Sequence, residues 1–345
     1  MFIAYDKNNG KEVVVKVEKI GQRRFALLDK EYQFCQKLLT SPSNAPEFVH
    51  IIQRIYDMNY HCLVMERCGH NIEQLFKICN YKFSMKTILM LVDEMFSKVT
   101  RCHLADIIHR DIKPENFVMG FDGEKSKHVY LIDFNLAAEY KKNGNHIDKC
   151  FVNPTGNYCF LSINAHQRIV QTRRDDMEAL AYTLIYLAKG KLPWKGIKWG
   201  NGNDRETMRN EIYYMKMSTP VDVICEGLPD VFKEFLFYCR RLKFDETPDY
   251  SFWRNQFRKL YFKEGYKYDY QYDWIINDDI AKKLKQQKQL IDLEEFKKIR
   301  EAKRKTIENW PTENWSTKNW STKNWPTENK DNLDCNHNVI CWQEF

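Results

Sequence analysis

Long apolar runs, C-x-x-C pairs and a strong excess of either charge are all missing from this chain of 345 residues. Without an apolar run of roughly twenty residues the chain offers no membrane-spanning helix. Asp6 and Lys7 break the N-terminus too early for a secretory leader, so a soluble, intracellular protein is expected. The eleven cysteines form no motif, and an odd number fits free thiols in a reducing compartment better than a disulfide framework. Cys335, His337 and Cys341 are poorly spaced for zinc and stand in a polar tail, so no structural metal is expected there. The net charge of +7 is a mild excess that suits an acidic or phosphorylated partner, although a solvated surface explains it equally well. What is present is globular: 43% hydrophobic and 29% charged residues, enough for one large unit or two modest ones.

Apolar segments alternate with Gly, Pro and Asn as far as Trp274, where the composition changes. Residues 280–308 carry ten Lys or Arg and five Asp or Glu in a helical pattern, with only Leu284, Ile291, Phe296 and Ile299 as a thin apolar stripe. Four Asn-Trp-Pro/Ser-Thr-Glu/Lys pentads then run from Asn309 to Glu328. Five-residue units are too short to stack as a solenoid, so the tail is expected to be mostly disordered. Its tryptophans are either docking points or a drifting repeat without a role. Upstream, residues 2–5 and 12–18 read as strands joined by a turn at Asn8-Asn9-Gly10. Residues 25–39 read as a helix, and 48–56 and 62–66 as two further strands. Ile88, Leu91, Val92, Met95 and Val99 then share one helical face. Residues 176–188 are apolar nearly all round, which predicts a central helix stopped by Gly190. Strands first and helices second predict an α+β chain of two lobes.

The stretch that carries chemistry is His109-Arg110-Asp111-Ile112-Lys113-Pro114-Glu115-Asn116, followed by strands over 117–119 and 129–132 around an Asp122-Gly123 turn, then Asp133-Phe134-Asn135. Transfer of a phosphoryl group from a nucleotide needs a carboxylate to orient the attacking hydroxyl, a cation on the moving group, and oxygen ligands for magnesium. Asp111 and Lys113 supply the first two, as the catalytic candidates. Asn116 and Asp133 supply the third, and Mg²⁺ asks for only one or two protein oxygens beside phosphate and water. Upstream, Lys16 stands on a buried-looking strand and Glu31 on the next helix. Alone, such a lysine is an edge residue snorkelling to solvent; held by Glu31, it can grip the α- and β-phosphates.

With these residues the chain resembles the eukaryotic protein kinases, specifically the casein kinase I family, over about residues 2–274. The family marks are Ser162-Ile163-Asn164 in place of Ala-Pro-Glu, Arg173-Arg174-Asp175-Asp176, Leu192-Pro193-Trp194, Lys216-Met217-Ser218-Thr219-Pro220, Phe244-Asp245 through Pro248-Asp249-Tyr250, and Tyr268-Asp269-Tyr270 through Trp274. The resemblance implies a bilobal kinase fold: an antiparallel-sheet N-lobe over 1–68 and a helical C-lobe over 69–274, followed by a charged helical extension over 275–308 and the repeat tail over 309–345. It implies ATP and Mg²⁺ as cofactors and protein Ser/Thr hydroxyls, in acidic context, as substrates. A cytoplasmic monomer with access to the nucleus follows, without membrane or nucleic-acid contact. Met65 becomes the gatekeeper, Glu66 to Cys68 the hinge that hydrogen-bonds adenine, and Asp176 the buried anchor of the catalytic loop.

Three departures stand against that pattern. Gly10 and Gly21 are the only glycines before residue 60 and do not make a Gly-x-Gly-x-x-Gly loop. Aligning Lys16 on the family's third strand leaves nothing for the first, so either translation starts upstream or the phosphate site lacks its roof, which weakens nucleotide binding. Asn135 replaces a glycine, and Asn tolerates the positive φ expected there. Gly156-Asn157-Tyr158-Cys159-Phe160 replaces Gly-Thr-x-Arg-Tyr: the Asn157 side chain is expected to stand in for the threonine beside Asp111. Cys159 cannot carry the arginine's charge, and Met208 takes a second basic position, so recognition of phosphorylated substrates should weaken. The competing readings are an active kinase and a pseudokinase scaffold. A nucleic-acid binder drawn by residues 280–308 is a third, answered by the acids that balance its basic residues.

Overall fold

Alternation of β-branched residues builds the first layer. Val13 and Val15 point to one side of strand β2 (Glu12–Lys19) and are buried with Val64 of β4 (Tyr60–Glu66) in a small apolar cluster. β1 (Phe2–Tyr5) and β3 (Ile51–Tyr56) complete an antiparallel sheet in the order β1-β2-β4-β3, with Lys16 opposite Leu63. Helix α1 (Ala26–Leu39) lies on it through Leu28, Cys35 and Leu38, and Glu31 falls on that same buried face at helical spacing. This computed structural model describes residues 1–6, 9–19, 26–39, 48–56, 60–196, 205–277, 282 and 284. The pentads of 309–328 and, apart from Lys282 and Leu284, the pattern over 280–308 lie outside the described residues. The strand expected from residue 48 begins at Ile51; Phe48 instead bridges Leu131 and meets the Phe134 ring edge-on at 5.9 Å.

The second layer is helical. β5 (Cys68–Asn71) leads into α2 (Ile72–Ile78) and α3 (Met85–Leu104), where Ser84 caps the helix and Ile88, Leu91, Val92, Met95 and Val99 are buried as their spacing predicts. β6 (Ile107–Ile108) precedes the hairpin of β7 (Phe117–Gly120) and β8 (Val129–Leu131), which pair antiparallel. The tight turn expected at Asp122-Gly123 is drawn out into a 3-10 turn over Gly123–Lys127. After short strands β9 (Ala138–Glu139), β10 (Lys141–Lys142) and β11 (Asn145–His146) and helix α4 (Ile163–His166), the central helix α5 (Arg173–Lys189) is buried from Arg173 to Leu187. Gly190 ends it at φ 78°, where a side chain would meet the Tyr81 carbonyl at 2.9 Å.

α6 (Arg205–Ser218), α7 (Val221–Ile224), α8 (Asp230–Arg241), α9 (Tyr250–Lys263) and α10 (Asp273–Ile276) close the layer. Arg254 and Arg258 of α9 both clasp Asp93 of α3, at 2.6–3.1 Å. Asp273 accepts the Ser84 amide at 2.5 Å and its hydroxyl at 2.7 Å, while Tyr272 and Trp274 stack at 4.6 Å. The whole is an α+β arrangement, sheet first and helices second. No helix among the described residues is long and apolar enough to cross a membrane.

Candidate active site

The loop after β6 is hung from α5. Asp176, fully buried near the helix start, accepts the amides of His109 at 2.7 Å and Arg110 at 2.8 Å, and His103 Nε2–H at 3.1 Å. Burial pushes its carboxyl up, but the His103 and His109 contacts outweigh that and hold it below the usual carboxylate value. The anchor sustains Arg110 at φ 66°, a conformation that costs a non-glycine residue roughly 1–2 kcal/mol. Arg110 in turn donates its Nε–H to the Leu136 carbonyl at 2.6 Å.

That bend delivers Asp111, whose two oxygens are both engaged. Oδ2 accepts Lys113 Nζ at 2.6 Å and Asn116 Nδ2 at 3.0 Å; Oδ1 accepts the Asn157 amide at 3.0 Å. Asn116 Nδ2 also donates to the Asp111 carbonyl at 2.8 Å, so its amide nitrogen is spent inward and its Oδ1 is left as an acceptor. Gly156 is needed beside this contact: its φ is +111°, and a Cβ there would stand 2.3 Å from the Arg110 carbonyl.

The first layer supplies the other charges. Lys16 Nζ lies 2.5 Å from Glu31 Oε1 and 3.4 Å from Asp133 Oδ1, which ties β2, α1 and the segment after β8 together. Burial works against the ammonium, but the two carboxylates outweigh it and raise Lys16 above its ordinary value. Asp133 sits at φ 70°, ψ 61°, and Phe134 beside it packs edge-on against the His109 ring at 5.0 Å. The donor set fits a magnesium nucleotide: one partly exposed carboxylate, Asp133, and one free amide oxygen, on Asn116, are the two protein ligands Mg²⁺ takes beside phosphate and water. Lys16 is the matching cation for the phosphates. At the other side of the cleft Met65 is buried on β4 opposite Val14, and Cys68 pairs with Gly120. The Glu66 side chain is drawn off to an ion pair with Lys125.

A family model for the protein kinase domain matches residues 1–247. The chain belongs to the protein kinase family. Here the residues singled out by sequence fall into two contact groups: Lys16, Glu31 and Asp133, which tie the sheet layer to the segment after β8, and Asp111, Lys113 and Asn116 within the loop after β6. Two expectations need correction. Asn135 does not take the positive φ; Asp133 does, and Asn135 lies within a 3-10 turn over Phe134–Leu136. Asn157 serves Asp111 through its backbone amide and not its side chain, whose Oδ1 accepts the Cys159 amide at 2.9 Å. Cys159 is a half-buried thiol pushed up by burial, and Met208 packs on the apolar core.

Sequence reasoning gave no role to Lys216, which is fully buried with its Nζ donating to the Tyr158 and Leu161 carbonyls at 2.9 and 2.5 Å. It also missed the Lys125 pair at the hinge and the Arg67 guanidinium, which lies over the Phe121 ring at 4.4 Å. A lysine among apolar neighbours in a family mark was the only available signal for the first; the other two depend on tertiary approach alone.

Proposed function

We propose that this protein kinase is an active serine/threonine kinase of casein kinase I type, which moves the γ-phosphoryl group of ATP to a protein hydroxyl. The observation that carries the reading is the pair of contact groups Glu31–Lys16–Asp133 and Lys113–Asp111–Asn116. Lys16, steadied by Glu31, binds the inner phosphates. Asp111, fixed on both oxygens, orients the substrate hydroxyl and takes up its proton. Lys113 offsets charge on the transferred group, and the backbone of Glu66 to Cys68 behind Met65 holds adenine. Asn116 Oδ1 and Asp133 would hold magnesium, which would supply charge neutralisation at the phosphates.

The casein kinase I assignment is supported by what the family marks do in the fold. Ser162 caps α4 and donates to Asp175 at 2.5 Å. Arg173 donates to the Asp245 carbonyl at 2.6 Å, Thr172 Oγ1 donates to the Phe244 carbonyl at 2.7 Å, and Tyr250 meets His103 at 2.9 Å. With a neutral thiol at Cys159 and an apolar Met208, selection for substrates that already carry phosphate is weak. A pseudokinase scaffold is the second reading, favoured by Asn135 in place of the glycine of the metal motif and Asn157 in place of the threonine beside Asp111. Incubation with labelled ATP, Mg²⁺ and casein, beside an Asp133→Ala control, separates the two. Labelling well above the control is expected; equal labelling sinks the enzyme reading.

A further inference from the structure

The family mark that begins at Lys216 has no part in the chemistry so far, yet its first residue is a wholly buried amine. Lys216 belongs to α6, and its Nζ reaches across to the loop that follows Gly156. There it donates to the Tyr158 carbonyl at 2.9 Å and the Leu161 carbonyl at 2.5 Å. The intervening Cys159 carbonyl accepts Trp194 Nε1–H at 2.8 Å, and His166 Nε2–H also reaches the Tyr158 carbonyl, at 3.2 Å. The amine itself rests over the rings of Tyr182 at 4.7 Å and Trp194 at 5.2 Å. Three carbonyls within four consecutive residues are thus turned inward and fastened. The other side of the same loop presents the Asn157 amide that holds Asp111 Oδ1 at 3.0 Å.

We propose that Lys216 is a positioning residue for the phosphoryl transfer: by fastening the Tyr158 and Leu161 carbonyls it fixes the loop whose Asn157 amide sets the angle of Asp111. The inference rests on the kinase reading above. A bulky cation is an expensive way to fill a core, and an apolar side chain would satisfy packing alone. Two backbone carbonyls in a dry place need a donor, however, and only a long side chain crosses from α6 to both. Burial lowers the amine to about 7, with Arg240 of α8 acting the same way; Glu178 of α5 and Cys159 of the loop act in the opposite direction. His166 of α4 and Tyr182 of α5 are the other titratable groups that face it. The fastening is therefore strongest while the ammonium persists and weakens as pH rises through about 7, since charge-assisted hydrogen bonds are roughly twice as strong as neutral ones.

The test uses the full chain as wild type, Lys216→Met and Lys216→Arg. Hydrogen exchange of a peptide covering 155–162 is followed beside kcat and the KM for ATP. Lys216→Met should quicken exchange of that peptide about tenfold while α3 is unchanged, and lower kcat about tenfold with the KM for ATP held within about twofold. Lys216→Arg, which keeps the charge and donors, should restore both readouts to within about threefold of wild type. Loop exchange unchanged in Lys216→Met overturns the proposal, and so does faster exchange with unaltered kcat. If Lys216→Met does not fold, Lys216→Gln, which keeps a donor but is too short to reach both carbonyls, decides by the same two readouts, and unchanged loop exchange overturns the proposal. Wild type that transfers no phosphate to any substrate counts against the kinase reading, while the exchange data still judge the loop contact by itself.

Discussion

Asp176→Asn alters one atom type and almost no volume, which makes its consequences calculable. Three donors converge on the wild-type carboxylate, two on Oδ2 and one on Oδ1. Asparagine has a single acceptor oxygen. With that oxygen kept on the Arg110 amide, the new NH₂ faces the His109 amide, donor against donor, at a site 2% exposed. An orphaned buried N–H costs about 1–3 kcal/mol, and losing the charge-assisted bond from His103 costs about 1–2 more. At about 2–4 °C per kcal/mol for a domain of this size, Tm should drop about 4–20 °C at pH 7. The sign with pH follows from the depressed wild-type carboxyl. Its stabilisation is present above the unfolded value near ~3.9 and is lost as pH falls through the lower folded value, so the gap between variant and wild type should narrow in that acid range. Catalysis suffers too, because the repelled His109 amide draws away from α5, and the bend at Arg110, φ 66°, shifts with it and carries Asp111 along; a displacement of about 1 Å costs roughly a hundredfold. Thermal scans from pH 3 to 8 and labelled-ATP transfer at neutral pH check both parts. A Tm at pH 7 within about 2 °C of wild type would refute the reasoning.

Lys16→Met leaves Glu31, 1% exposed, without its cation, and should lose roughly 3–5 kcal/mol of stability and nearly all transfer. Adding Glu31→Gln should recover much of the Tm but none of the activity; recovered activity would remove Lys16 from the phosphate site. Gly156→Ala forces its new Cβ toward the Arg110 carbonyl from a backbone that favours glycine. It should cut kcat tenfold or more with little change in the KM for ATP, and an unaltered kcat would show that the Asn157–Asp111 contact is dispensable. Matched peptides with and without an upstream phosphoserine should differ by less than about threefold in kcat/KM. Cys159→Arg should widen that preference about tenfold, the value of one charge-assisted hydrogen bond; a strong preference already in wild type would contradict the role given to Cys159.

The parts of this molecule that were legible in the sequence are those whose information is local. The catalytic loop announced itself because Asp111, Lys113 and Asn116 are fixed to one another by a few bonds of backbone, and α3 because its apolar residues recur at helical spacing. Glu31 could be matched to Lys16 because the strand–helix succession brings them to one face. What escaped notice depends on approach between distant segments. Nothing near Glu66 in the chain points to Lys125, and nothing near Phe48 says that it will leave the sheet for Leu131 and Phe134. At Asn157 the residue type was misleading, since the group at work is a backbone amide common to nearly all residues. At Asn135 the positive φ had moved two positions upstream, to Asp133, because the segment closes into a 3-10 turn.

The kinase family match stops at residue 247, but the fold does not. Arg254 and Arg258 are the only described partners of the Asp93 carboxylate, and Asp273 engages Ser84 at the very start of α3. A chain trimmed to the matched region would strand a carboxylate inside the large lobe and unfasten the start of the helix that runs beneath the catalytic loop. Expression boundaries for this protein therefore belong beyond Ile276, and a shorter product should emerge from cells as insoluble material.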